Sequence, residues 1–147
     1  MLVSATLPVA RTRLVTLAVE APVIEAAKLL SAPDTHLLVV CNHGGAMTGV
    51  LTKADIVKQI SHCTGCSCTE GVAGIMTRDV VACRPGDRLR EVWDVMQGRA
   101  LKQIPISDEQ SRPVGVLYAN DALQWLWKEA EYKEELLRDY VMGTGYR

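Results

Sequence analysis

The sequence predicts an α+β protein built from two β-α-β-β-α repeats, and three observations predict it. The segment Gly49-Val50-Leu51-Thr52-Lys53-Ala54-Asp55-Ile56 returns as Gly115-Val116-Leu117-Tyr118-Ala119-Asn120-Asp121-Ala122, 66 residues later. At the same offset Val15 meets Val81, Glu25 meets Glu91, Leu30 meets Met96, Leu38 meets Ile104 and Val40 meets Ile106, with no gap from Val15 to Ile56. Within each repeat, short apolar runs of strand length alternate with stripes at helical spacing. Internal agreement over a whole strand–helix–strand–strand–helix unit marks a duplicated fold.

The elements follow in order. Residues 1–13 read as a leader. Residues 14–17 read as a short strand. Pro22 sits where proline favours a helix start, and a helix over 23–31 places Val23, Ala26, Ala27 and Leu30 on one face. Residues 37–41 are wholly apolar, the pattern of a strand buried on both faces. Asn42-His43-Gly44-Gly45 reads as a turn of residues that tolerate positive φ, after which 47–52 returns antiparallel and 55–61 closes the unit as a helix. A linker over 62–71 ends in one helical turn at 72–76. The second unit opens with a strand over 80–83 and a turn at 84–87, where Asp87 is placed to cap the helix that carries Leu89, Val92, Trp93 and Met96. Ile104-Pro105-Ile106 reads as an edge or irregular strand, because proline removes a ladder donor. Residues 107–113 form the hairpin loop, and 114–118 returns. A helix over about 120–141 carries Leu123, Leu126, Trp127, Ala130 and Leu137 on or near one face, with Gly143-Thr144-Gly145 ending it. The organisation is a leader (1–13), a first unit (14–61), a Cys-containing linker (62–76), a second unit (77–127) and a C-terminal helical extension (128–147).

Composition excludes several classes. The chain has 147 residues, 48% of them hydrophobic and 22% charged, with a formal net charge of −1. That is enough chain for one compact domain or two small ones sharing a core, and neither disorder nor a basic nucleic-acid surface is expected. No apolar run is long enough to cross a bilayer. Residues 1–8 make a poor signal peptide. The five cysteines are an odd number without an export signal, so reduced thiols in a cytoplasm are the expectation.

The repeated segment also carries chemistry. Each copy runs from an apolar strand straight into a helix, whose first amides are unpaired and carry partial positive charge. Thr52 at that junction and Asp55 in the first turn make a small polar site that could hold a phosphate and a ribose; a plain helix cap is the alternative.

The paired Gly-x-x-x-x-x-Asp motifs, Ile75-Met76-Thr77 before the second unit and Ile104-Pro105-Ile106 resemble, in order and spacing, the cystathionine-β-synthase (CBS) domain family. The resemblance covers roughly residues 14–127, and two such units form the tandem regulatory pair often called a Bateman module. It implies two units packed through their sheets about a pseudo-twofold axis. Two clefts lie between them, where many members bind AMP, ADP, ATP, NAD or S-adenosylmethionine. It further implies that Thr52 meets a phosphate and Asp55 accepts the ribose hydroxyls, with adenine against Val80, Val81 and Ala82 and against Gln103, Ile104 and Pro105. Lys102 could meet a phosphate or remain a solvated surface lysine. The second cleft would combine Tyr118 and Asp121 with Thr16, Leu17, His36, Leu37 and Leu38. There Tyr118 replaces the family's Ser or Thr, and its ring could fill the phosphate space or stack on a base.

The expected function is therefore a stand-alone regulatory module, not an enzyme. It would bind an adenosine ligand between its repeats and signal to a protein partner, with the Asp55 cleft the preferred site. A homodimer closed by apolar helix faces is expected. No nucleophile stands with a base beside it, and no obligatory cofactor is implied. The alternatives are a ligand-free interaction module and a redox- or zinc-responsive one. The latter would use His62, Cys63, Cys66 and Cys68 in the linker; Cys63 and Cys66 have knuckle spacing, but no second pair follows. Cys41 and Cys83 read as core residues.

Overall fold

The computed structural model describes residues 1–61 and 70–145, with side chains through residue 141. The linker residues His62, Cys63, Cys66 and Cys68 lie outside the described residues.

The chain begins with a 3-10 turn, Val3–Thr6, and a helix α1, Leu7–Arg13. The first unit follows as β1 (Thr16–Ala18), α2 (Val23–Leu30), β2 (Leu37–Cys41), β3 (Met47–Thr52) and α3 (Lys53–Ser61). A 3-10 turn at Val72–Gly74 leads to the second unit: α4 (Leu89–Gly98), β4 (Gln103–Ser107), β5 (Pro113–Tyr118) and α5 (Ala119–Gly145). β1 pairs parallel with β2, and β2 antiparallel with β3, in a sheet of order β1-β2-β3. β4 and β5 form an antiparallel pair. The fold is α+β.

The core is layered as the apolar pattern dictates. Leu38 and Val40 of β2 point with Leu51, Ala26 and Leu30 into the first unit's core. Leu37 and Val39, on the other face of the same strand, meet Val116 and Tyr118 of β5, so the two sheets share an interior. In the second unit Leu89, Val92 and Met96 of α4 pack against Ile104, Ile106 and Leu117. Burying each such side chain contributes about 1.5–3 kcal/mol.

The segments that precede the units cross over. Val72 and Met76, just before the second unit, pack into the first unit's core. Val3 and Ala10, before the first unit, pack into the second unit's core. The two glycines that open the repeated segment allow these approaches. A Cβ on Gly49 would lie 2.7 Å from Met76 Sδ and 2.9 Å from the Thr77 carbonyl, and one on Gly115 2.9 Å from Ala10 Cβ and 3.0 Å from its carbonyl carbon. The leader is thus a folded element that caps the second half.

Four sequence expectations need correction. The strand expected over 80–83 reduces to one parallel bridge, Cys83 with Ile106. In the first unit the flanking ladder bonds are Val39 N–H to Val15 O and Val19 N–H to Cys41 O, both 3.0 Å. The residues 66 later than those two donors are Pro105 and Pro85, which have no N–H to give. Asp87 does not cap α4; its Oδ2 accepts the Arg84 N–H at 2.9 Å and closes the turn. β1 starts at Thr16 because Leu14 is the C-cap of α1, its N–H bonded to Arg11 O at 3.3 Å. Finally, the side of α5 that packs carries Ala119, Ala122, Trp125 and Leu126, whereas Leu123, Trp127 and Leu137 are exposed, and the helix runs on through Gly145.

Candidate functional site

β3 runs into α3 without a loop, so Thr52 stands immediately before the helix and Asp55 falls in its first turn. Asp55 Oδ2 accepts both the Thr52 N–H, at 3.0 Å, and the Thr52 hydroxyl, at 3.3 Å. The backbone bond is one half of a capping box, the side chain at the third helical position reaching back to the residue before the helix. Oδ1 keeps no hydrogen-bond partner among the described residues and is open to a further donor.

A cavity of about 440 Å³ opens beside this carboxylate, between the two units. From the first unit it is bordered by Val50, Thr52 and Asp55, and from the second by Val80, Val81, Lys102, Gln103, Ile104 and Pro105. The residues assigned to the first cleft from sequence therefore come together in one place, apart from Ala82, which does not line the cavity. Thr77, Asp79, Ala100 and Leu101 line it too, although sequence reasoning did not select them. Leu37, expected in the second cleft, reaches this cavity as well.

The equivalent place around Asp121 is built differently. Leu37, Val39, Val116 and Tyr118 form a packed cluster there, each 8% exposed or less. The Tyr118 hydroxyl donates to Asp34 O at 3.3 Å and accepts the His36 N–H at 3.2 Å, which ties the ring across the space between the units. Asp121 is held by Arg13, with Nε 3.2 Å from Oδ2 and Nη2 3.3 Å from Oδ1. The same guanidinium lies 4.7 Å from the centre of the Tyr118 ring, a cation–π contact. The carboxylate hydrogen bonds raise the Arg13 pKa above its ordinary value, against the opposing effect of burial. Arg13 was missed because it lies in the leader, far from Asp121 in the chain. The repeat held the signal, since the leader falls at the register of residues 72–79.

The other residues named for the second cleft are dispersed. Leu17 and Leu38 belong to the first unit's core. Thr16 and Leu17 border a separate depression with His43, whereas His36 and Tyr118 border one of about 660 Å³ with Trp93, Gln97 and Asn120, and Asp121 lines neither. Among the described residues no group of three or more His, Cys, Asp or Glu side chains is placed to hold a metal. Burial pushes the Cys83 thiol up to about 12 and raises that of Cys41, so neither carries appreciable thiolate at neutral pH. No helix among the described residues is long and apolar enough to cross a membrane.

Comparison with known proteins agrees with this architecture. The family described as the CBS domain matches twice, at residues 6–62 and 72–128. Among curated relatives, a homoserine O-acetyltransferase of Methanocorpusculum labreanum is 29% identical over 93 residues, 63% of this chain but 18% of that protein. The chain thus spans less than a fifth of that relative's length. Among solved structures, the CBS domain pair of protein MJ0100, in complex with 5′-methylthioadenosine and S-adenosyl-L-methionine, superposes with a TM-score of 0.72. It is 22% identical, and the match covers 88% of this chain and 98% of that one. The cytosolic domain of the Mg²⁺ channel MgtE, in complex with ATP, is 26% identical with a TM-score of 0.65, covering 76% of this chain and 44% of that one.

Proposed function

The chain belongs to the CBS domain family as a tandem pair of its units, and on that footing we propose that it is a regulatory module. It takes one adenosine-containing ligand in the Asp55 cavity and passes the change to a protein partner in the cytoplasm. The observation that carries this reading is the asymmetry of the two clefts: one opens beside a carboxylate with an oxygen that has no partner among the described residues, and around Asp121 the other is filled by side chains. In this reading Asp55 Oδ1 receives the vicinal ribose hydroxyls, and the base lies against Val80, Val81, Ile104 and Pro105. The complexes formed by MJ0100 and MgtE support an adenosine ligand. AMP, ADP, ATP, NAD and S-adenosylmethionine share that moiety.

The cavity wall comes from both units, so an occupant would bridge them. It could bias the module only by fitting one arrangement of the halves better than another. No catalytic step is assigned. The acetyltransferase activity of the M. labreanum relative belongs to a protein more than five times as long as the matched region. The exposed helix faces, with Val57 and Ile60 above 60% exposed on α3 and Leu123 and Trp127 on α5, support a homodimer closed through helices. Sedimentation of Val57→Glu as a monomer beside a wild-type dimer would bear this out; identical sedimentation of the two as monomers would count against it.

The nucleotide reading is tested by thermal unfolding with AMP, ADP, ATP, NAD and S-adenosylmethionine. A ligand at a hundred times its dissociation constant adds about 2.7 kcal/mol, which moves the midpoint by several degrees. At least one ligand should produce that shift. If none does, the reading gives way to a ligand-free protein-interaction module.

A further inference from the structure

Resting on the nucleotide reading above, we infer that the Asp55 cavity selects an adenosyl ligand that carries no phosphate, either a neutral adenosyl thioether or a cationic adenosyl sulfonium. The lining charges point this way. Asp55 and Asp79 border the cavity against the single lysine Lys102. A second carboxylate beside the ligand repels phosphate oxygens and attracts a positive centre, and like-charge juxtaposition is how sites reject wrong partners. The donors point the same way. A phosphate needs N–H and O–H groups aimed at it, but the Thr52 amide and hydroxyl are both turned onto Asp55 Oδ2, which leaves Thr77, Lys102 and Gln103 as the other side-chain donors on the wall. Carboxylates only accept, so Asp79 offers a phosphate nothing.

The repeat register isolates the residue responsible. Asp79 occupies the position that Arg13 holds in the other half, and Thr77 the position of Arg11, each pair 66 residues apart. The arginine suited to a phosphate lies in the half whose cleft is filled, engaged with Asp121. The open half has an aspartate in its place. The remaining wall is largely apolar, with Val50, Val80, Val81, Ile104 and Pro105, which suits a methyl thioether. Asp79 and Lys102 together present opposite charges on that wall, a match for a zwitterionic amino-acid tail on a sulfonium.

The test is calorimetric titration at low ionic strength, where exposed charges are least screened. The probes are 5′-methylthioadenosine, S-adenosylmethionine, AMP and ATP, against wild type and Asp79→Arg. Asp79 is solvent-exposed, so the substitution should be tolerated by the fold, and its unfolding midpoint verifies this. The first two ligands should bind wild type about ten-fold more tightly than ATP, equivalent to about 1.4 kcal/mol. Asp79→Arg should erase that preference by strengthening ATP binding. AMP or ATP binding wild type as tightly as methylthioadenosine would overturn the inference and leave the nucleotide reading standing. An unchanged preference in Asp79→Arg would overturn the role of this residue in it. If none of the four binds, both fall together.

Discussion

Around Asp55, the side chains of Val50, Thr52, Gln103 and Pro105 border an open cavity of about 440 Å³. Around Asp121, the residues at the same register, Val116, Tyr118, Leu37 and Val39, are packed together and buried. Apart from the first strand, which the second unit reduces to one bridge, the backbone is duplicated, and the aspartate is kept in both copies. What differs is the volume and polarity of its neighbours: a threonine becomes a tyrosine, and a glutamine is matched by a leucine. The leader adds the last difference, because Arg13 reaches Asp121 while its counterpart Asp79 lines the open cavity. An aspartate in the first turn of a helix is therefore no site by itself. In one half it faces a cavity, and in the other it anchors a helix.

The largest expected effect breaks the closed half. Gly115→Ala would press a Cβ into the backbone of Ala10 in α1, and overpacking of this kind costs about 1–3 kcal/mol. Gly49→Ala meets Met76 and Thr77 instead and should cost a similar amount in urea unfolding. The two variants should part in limited trypsinolysis. Displacing α1 frees Arg11 and Arg13 for cleavage in Gly115→Ala, whereas Gly49→Ala should be cut there as wild type is.

Removing the anchor alone should cost less. Arg13 and Asp121 side chains are 32% and 14% exposed, between a surface pair and a buried one. Arg13→Ala should therefore lose about 1–2 kcal/mol. Arg13→Lys should recover only part, because an ammonium cannot reproduce the two-nitrogen grip on the carboxylate or the flat contact with Tyr118. Chemical denaturation of the three proteins reads both steps.

Legibility in the sequence followed the range of the interactions. β2 could be read directly, because five consecutive apolar residues leave little alternative to a strand buried on both faces. The β3–α3 junction was equally local, and Thr52 and Asp55 needed no tertiary information to be placed there. α1 was not legible as an element of the fold. Its reason for being helical is the second unit's core, where Val3 and Ala10 are buried, and nothing within residues 1–13 states that. The missing strand at 80–83 was half legible: Pro105 was recognised as removing a donor, but the loss of a second donor at Pro85 emerges only when its register is set against Val19. The exposed stripe of α5 misled for another reason. Helical periodicity identifies an apolar face without saying whether this chain or another covers it.

Two smaller predictions concern residues whose counterparts in the other half differ in kind. Cys83 takes the register of Leu17, and its thiol stays protonated in the fold to about 12 against an ordinary 9.0. Above pH 9.0 the unfolded chain loses a proton that the folded chain keeps. Wild type should therefore lose stability relative to Cys83→Val as pH rises through that window, and equal slopes would remove the burial argument. Ala100 closes the end of α4 with φ of 54°, while the Leu101 N–H bonds Met96 O at 2.8 Å. That is a left-handed helix end usually taken by glycine. Ala100→Gly should gain about 0.5 kcal/mol, the relief of strain less the added freedom of the unfolded chain.

The central claim, that one cleft of the pair is receptive and the other closed, is tested most directly by titrating adenosine, the moiety common to the candidate ligands. The proteins are wild type, Asp55→Ala and Asp121→Ala, each checked for folding by its unfolding midpoint. The account predicts one adenosine per chain for wild type and unchanged affinity in Asp121→Ala. Asp55→Ala should bind at least about ten-fold more weakly, as loss of hydrogen bonds to a charged acceptor requires. Two adenosines per chain, or binding that survives Asp55→Ala and vanishes in Asp121→Ala, would contradict it.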